Sequence, residues 1–458
     1  MKSARTLLLI TVLILVGAVA FIALRQAPNQ ASVDVAPTGA LVTREFSLPA
    51  RPDLKPTGKS QRQIEISQLR TLAFDIAELT LRRLPDAPGA YCLLAKIHLR
   101  GGNVDNARQL WDHSIAIAPQ FAEAYVDYGH YELKLGAFEK AEAHFRNALK
   151  HDSHRIDAHR FLGEALAAQR EYVSAASELE TYLNEDSRAD GAWCKLGYVY
   201  QQLGKFDQAL NRYLKALSVN QHSTEAANGL IAVYRKQGDE DNAQRYVDYL
   251  IRLSASDQES FGDRATQDPD AIKAKEVLEF TSLTAADLLL EAGEALLAIE
   301  QLEKSIAASP DLKSVRSKLL DLYVRSGAVD SAIRLHQLEI EAAGNVARPW
   351  RELGEFCIKH RRLTTAETAL QKAIALEPDR ADAYAMLAQV QMAGPSGSST
   401  ATRTAQQAVN LAPSAFHYYI LATAKYHAGD STGAGQALLK AIELEPANLE
   451  YRDALRRL

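Results

Sequence analysis

A 34-residue period constrains this chain more than any other feature of its sequence. The clearest copy starts at residue 190 and carries Trp193, Leu196, Gly197, Tyr200, Ala209 and Tyr213. One period upstream stand His159, Leu162, Gly163, Ala175 and Leu179. Before them come Tyr125, Tyr128, Gly129, Gly136, Ala141, Phe145 and Ala148, and before those Tyr91, Leu94, Ala95, Gly102, Ala107, Trp111 and Pro119. One period downstream stand Ala227, Leu230, Tyr234, Gly238 and Ala243. These five copies start at 88, 122, 156, 190 and 224 without a gap. In each, large residues lie three or four apart and so share one helix face. Small residues such as Gly197 and Ala209 mark where the two helices of a copy cross, because a larger side chain would hold the backbones apart. Gly102, Gly136, Gly204 and Gly238 supply a left-handed cap to the first helix. A proline stops the second. Each pair leaves an apolar edge that only its neighbour can bury, so the pairs stack.

A second block follows a break. Its sixth copy, starting near 279, carries Leu289, Gly293, Ala298, Leu302 and Pro310, and its seventh Leu319, Tyr323, Gly327 and Ala332. The eighth has Trp350, Leu353, Gly354, Ala366, Leu370, Ala373 and Pro378. The ninth opens with Tyr384, Leu387 and Ala388 and closes at Ala401, Ala408 and Pro413. The tenth has Tyr418, Leu421, Ala422, Gly429, Ala434, Leu438, Ala441 and Pro446.

The pattern around Trp193 resembles the tetratricopeptide repeat (TPR), W-x2-L-G-x2-Y…A-x3-F…P. The resemblance extends to about ten repeats and three quarters of the 458 residues. It implies an all-α helix-turn-helix solenoid, a right-handed superhelix in two blocks, with first helices lining a concave groove. In this family the fifth, ninth, twelfth and thirteenth positions face that groove. The residues this selects as a candidate partner groove are Lys96, His130, Glu164, Tyr198, Gln201 and Arg235. Basic residues at the thirteenth position, such as Arg100, Lys134 and Lys236, also suit helix C-termini, where a cation stabilises the dipole. The carboxylate clamp of chaperone-binding members is not matched, since Cys92, Lys96, Asp127, Asp157 and Phe161 stand at its positions. Nor is the Asn ladder of glycosyltransferase-type members, where Leu93, Asp127, Phe161, Lys195 and Gly229 stand. Mixed charge along the groove points to a protein or peptide ligand.

The expected organisation runs from an N-terminal segment at 1–25 through a flexible tether at 26–65 and a capping helix at 66–87. Five repeats follow at 88–257, a joint or extra helix at 258–278, five repeats at 279–447 and a capping helix at 448–458. Pro269 after Asp268 is a helix-start signal inside the break. Gly394 to Thr400 loosens the turn inside the ninth repeat.

Leu7 to Leu24 is a run of 18 residues without a charge, enough for one bilayer crossing as a helix. Lys2 and Arg5 precede it, so a retained anchor would put the body outside the cytoplasm, on the periplasmic side in a bacterium. Cleavage at Ala18-Val19-Ala20, which would secrete the body, is the alternative. Beyond residue 25 the chain carries 49 basic and 57 acidic side chains, which argues against a nucleic-acid partner.

Catalytic, cofactor and metal motifs are absent. Gly58-Lys59-Ser60 lacks the rest of a phosphate-binding loop. Cys92, Cys194 and Cys357 are isolated on separate repeats and read as small apolar residues. His151, His154 and His159 cluster at one turn, with spacing too irregular for a metal site. The expectation is a non-catalytic, membrane-anchored interaction scaffold that takes a protein or peptide in its groove, without cofactor or small-molecule substrate. An accessory subunit of an envelope polysaccharide-export or secretion assembly is the alternative.

Overall fold

The computed structural model describes residues 61–264, 268–394 and 397–458. The 7–24 run, the Gly58-Lys59-Ser60 segment and nearly all of the expected tether lie outside them. No helix among the described residues is long and apolar enough to cross a membrane. That finding corrects the single-pass membrane localisation expected from the sequence.

The described chain is a TPR-type helical solenoid, with no strand among the described residues. After α1 (Gln61–Arg83) come five helix pairs. They are α2 (Pro88–Arg100) with α3 (Val104–Ile117), α4 (Ala122–Lys134) with α5 (Phe138–His151), and α6 (Ile156–Ala168) with α7 (Tyr172–Glu185). Then come α8 (Asp190–Gln202) with α9 (Phe206–Val219), and α10 (Thr224–Gln237) with the long α11 (Glu240–Arg264). The second block is α12 (Pro269–Glu291) with α13 (Ala295–Ala308), α14 (Lys313–Arg325) with α15 (Val329–Ala343), and α16 (Ala347–Lys359) with α17 (Leu363–Leu376). It ends with α18 (Ala381–Ala393) and α19 (Ser398–Leu411), α20 (Ala415–His427) and α21 (Ser431–Leu444), and α22 (Leu449–Arg457).

The small-against-large pairing holds each repeat together. A Cβ on Gly163 would stand 2.7 Å from Leu179 Cγ, and one on Gly354 the same distance from Leu370. Gly129 and Gly197 meet Phe145 and Tyr213 equally closely, at 2.8 Å. The core that results runs unbroken from Ala122 to Val233. A second recurring device anchors four of the first helices to the turn before them. The fourth residue donates a hydrogen bond to the carbonyl six residues upstream: Tyr91 to Pro85 (2.9 Å), Tyr125 to Pro119 (3.0 Å), Trp193 to Ser187 (2.9 Å) and Tyr384 to Pro378 (3.1 Å). Gly102, Gly136, Gly204, Gly238, Gly293, Gly327 and Gly429 all adopt positive φ at the end of a first helix. In the third and eighth repeats Arg170 (φ 67°) and Arg361 (φ 57°) take that conformation without glycine's freedom.

The start of the solenoid has a topology that no local pattern shows. α1 packs along α12 as well as against α2, and α12 in turn packs on α2 and α13. α1 thus packs on a helix that comes roughly 200 residues later in the chain, and the two run parallel, unlike the antiparallel helices of a repeat. Ion pairs flank this contact at both ends: Arg62 to Asp268, the cap before α12, at 3.1 Å, and Arg83 to Glu294, the cap before α13, at 2.6 Å. A Cβ on Gly89 would stand 2.9 Å from Leu288 Cδ2, so α2 and α12 meet closely. α12 itself is one helix from 269 to 291, running through the boundary expected at 278–279.

Candidate functional site

The first helices α2, α4, α6, α8 and α10 stand side by side and carry the six residues expected from the sequence to line a groove. The structure divides them into two sets. Lys96 is committed to the fold. Its Nζ lies 2.8 Å from Asp127 and 3.3 Å from Glu123, and 5.5 Å from the centre of the Phe280 ring of α12. Burial pushes the Asp127 carboxyl up to about 6, with Lys96 pulling it back. His130 stacks on Phe161 with ring centres 4.3 Å apart. Burial, reinforced by Lys134, Arg160 and Lys96, lowers its pKa to about 4, so it is neutral at pH 7. Glu164 accepts a hydrogen bond from Arg160 at 3.1 Å, and the Arg160 guanidinium lies 3.9 Å from the centre of the Phe161 ring. These three residues and their neighbours form one knitted polar and aromatic strip.

The other set is open. Tyr198 is 42% exposed, meets the Tyr172 ring edge-on and shares a side-chain hydrogen bond with it. Gln201 accepts a hydrogen bond from Tyr213 at 3.1 Å, which fixes its carboxamide beside Tyr198 on the next turn of α8. Arg235 lies in the last turn of α10, exposed and without a carboxylate partner among the described residues. Its neighbour Lys236 lies over the Phe206 ring at 5.3 Å. An aromatic face and two cations are therefore exposed on α8 and α10, beside a half-buried amide. The signal that separates the sets lies in the second and sixth positions, where Glu123 and Asp127 neutralise Lys96 and no equivalent acid meets Arg235.

The remaining candidates have structural places. Cys92, Cys194 and Cys357 are free and buried. Burial pushes all three thiols up, Cys194 and Cys357 to about 11. Of the three clustered histidines, His151 stacks on Tyr125, His154 donates its backbone N–H to Asp152, and His159 Nδ1 lies 2.6 Å from Glu178. Among the described residues, no group of three or more His, Cys, Asp or Glu could hold a metal ion.

Comparison with known proteins agrees with this architecture. Two tetratricopeptide-repeat family models match the chain, at residues 132–193 and 194–257. Tetratricopeptide repeat-containing protein trd-1 of Caenorhabditis elegans is 24% identical over 168 residues, which is 36% of this chain and 22% of trd-1. The general transcriptional corepressor trfA of Dictyostelium discoideum is 23% identical over 131 residues, 28% of this chain and 9% of trfA. The chain thus spans under a quarter of the length of either relative. The solved structure of MamA 41-end from Desulfovibrio magneticus RS-1 is 19% identical with a TM-score of 0.36, covering 37% of this chain and 97% of that one. The chain carries tetratricopeptide repeats on a helical solenoid, an architecture that fits protein–protein interaction and is generally non-catalytic.

Proposed function

We propose that this chain is a non-catalytic scaffold that docks a segment of another protein across α8 and α10 of the first block. The observation that carries this reading is the contrast within the groove row: Lys96, His130 and Glu164 are satisfied internally, whereas Tyr198 and Arg235 are exposed. Tyrosine and arginine give large contact area and directional hydrogen bonds at little entropic cost, which is why they concentrate in interface centres. The exposed cations favour a segment with acidic residues, and the Tyr198 ring gives it an apolar or aromatic anchor. No cofactor or small-molecule substrate enters this reading.

The test is an affinity capture from an extract of the source cells with two baits, the wild-type chain and a Tyr198→Ala/Gln201→Ala/Arg235→Ala variant. A partner held by the first and lost by the second supports the reading. Equal recovery on both baits removes the interface from α8 and α10.

A further inference from the structure

The seventh repeat breaks both packing devices at once. Where other repeats place a glycine or alanine (Ala95, Gly129, Gly163, Gly197, Gly354, Ala422), α14 carries Leu320. Opposite it, where those repeats bury Trp111, Phe145, Leu179, Tyr213, Leu370 and Leu438, α15 carries His336. At the fourth position, where Tyr91, Tyr125, Trp193, Trp350, Tyr384 and Tyr418 stand, α14 carries Arg316, which donates to the Pro310 carbonyl in place of the usual aromatic donor. A leucine cannot enter the crossing that glycine permits. α14 and α15 accordingly meet over a smaller interface than other helix pairs. The fifth repeat, with Ile231 in the same position, has the smaller Val247 opposite and stays closely packed.

The gap is a cleft of about 510 Å³ between α14, α15 and α16. That volume is within the range of ligand pockets, roughly 300–1,000 Å³. Leu320, Leu335, Val346 and Pro349 give it apolar walls. His336, Arg316 and Glu339 give it a polar wall, with Arg316 and Glu339 paired at 2.6 Å. His336 Nε2 is enclosed and has no hydrogen-bond partner among the described residues. Burial keeps this imidazole neutral at pH 7 by lowering its pKa. At the mouth stands Lys313, exposed and without a carboxylate partner among the described residues. Lys313 and Ser317 also border a shallower depression with Leu283, Lys318 and Asp321, which gives an extended segment a path into the cleft.

We propose that this cleft is a second docking site, which receives one tyrosine of a partner segment, with an acidic residue next to that tyrosine at Lys313. The occupant follows from what the repeat lacks: an aromatic ring of its own at the fourth position. A tyrosine ring takes the apolar walls, and its hydroxyl, both donor and acceptor, meets the Arg316–Glu339 pair of the polar wall. The site does not depend on the first-block groove.

The test uses fluorescence anisotropy of the full chain with a labelled, capped glycine–serine peptide carrying one glutamate followed by one tyrosine. Saturable binding is expected, weakened about ten-fold or more when alanine replaces the peptide's tyrosine. The Leu320→Ala/His336→Leu variant restores the small-against-large pair and should abolish binding while keeping its helical circular dichroism. Lys313→Ala, a surface change that leaves packing intact, should weaken binding several-fold, and only for the peptide that has the glutamate. Absence of saturable binding up to about 1 mM overturns the proposal. So does unchanged binding by both variants, or loss of binding in Tyr198→Ala/Arg235→Ala, which would put the peptide in the first-block groove.

Discussion

The third and seventh repeats have the same length and the same helix order, yet one is closed and the other open. In the third, Gly163 lets α6 settle onto Leu179, which is fully buried. In the seventh, Leu320 and His336 hold α14 off α15 and leave a cleft. The departures that matter are Arg316, Leu320 and His336, and none of them interrupts a helix. A solenoid can therefore turn one unit from packing into binding without disturbing distant units, because the seventh repeat packs chiefly on the sixth and eighth.

The largest expected effect concerns the large member of each pair. Leu179→Ala should cost about 3 kcal/mol, since it removes a fully buried side chain from a site whose glycine partner cannot fill the space. His336→Ala, beside an existing cleft, should cost about 1 kcal/mol or less. Urea midpoints of the two variants measure this, and equal losses would mean the seventh repeat is as tightly packed as the third.

A smaller effect is expected where the first helices end. The third repeat turns through Arg170 at φ 67° and the seventh through Gly327 at φ 74°. Relief of left-handed strain should make Arg170→Gly more stable by about 1 kcal/mol, and Gly327→Arg should lose a similar amount. Thermal melts of both variants test the pair, and a destabilised Arg170→Gly would show that the arginine side chain stabilises more than its backbone strain costs.

A further effect is electrostatic and separates the knitted strip from the cleft. The Asp127 carboxyl is raised in the folded state, so its stabilising contribution is present below its unfolded pKa and fades as pH rises through about 6. His130 is depressed, so its contribution is present above the ordinary histidine range and fades as pH falls through about 4. The two slopes oppose each other in the wild type. In Asp127→Asn the histidine slope loses the term that opposes it, and stability should fall more steeply on acidification from about pH 6.5 to 4. Adding His336→Ala should leave most of that slope in place, because His130 lies in the other block. Denaturant midpoints across this window decide it, and a profile unchanged by Asp127→Asn would place the titration elsewhere.

Much of the fold was legible because each repeat is written locally. Helix pairs, their glycine caps and the small-against-large crossings follow from spacings within one period, so Gly102, Gly163 and Trp193 stand where the pattern puts them. The proposed groove residues follow from family position, which says nothing of their availability. Family position selects Lys96 and Arg235 alike, yet Asp127 and Glu123 from the next helix neutralise only the first. The cleft was present in the sequence as Arg316, Leu320 and His336, three departures whose joint meaning depends on α14 and α15 being opposed.

The sequence by itself determined the units and their order of stacking within each block, because helix periodicity and caps act over three to fifteen residues within a single copy. Only the tertiary structure decided that α1 pairs with α12, that Arg83 meets Glu294 211 residues away, and that both blocks share one helix at their start. The reason is physical: an exposed apolar edge specifies that something must cover it, whereas which distant segment does so depends on where the whole stack brings the chain back.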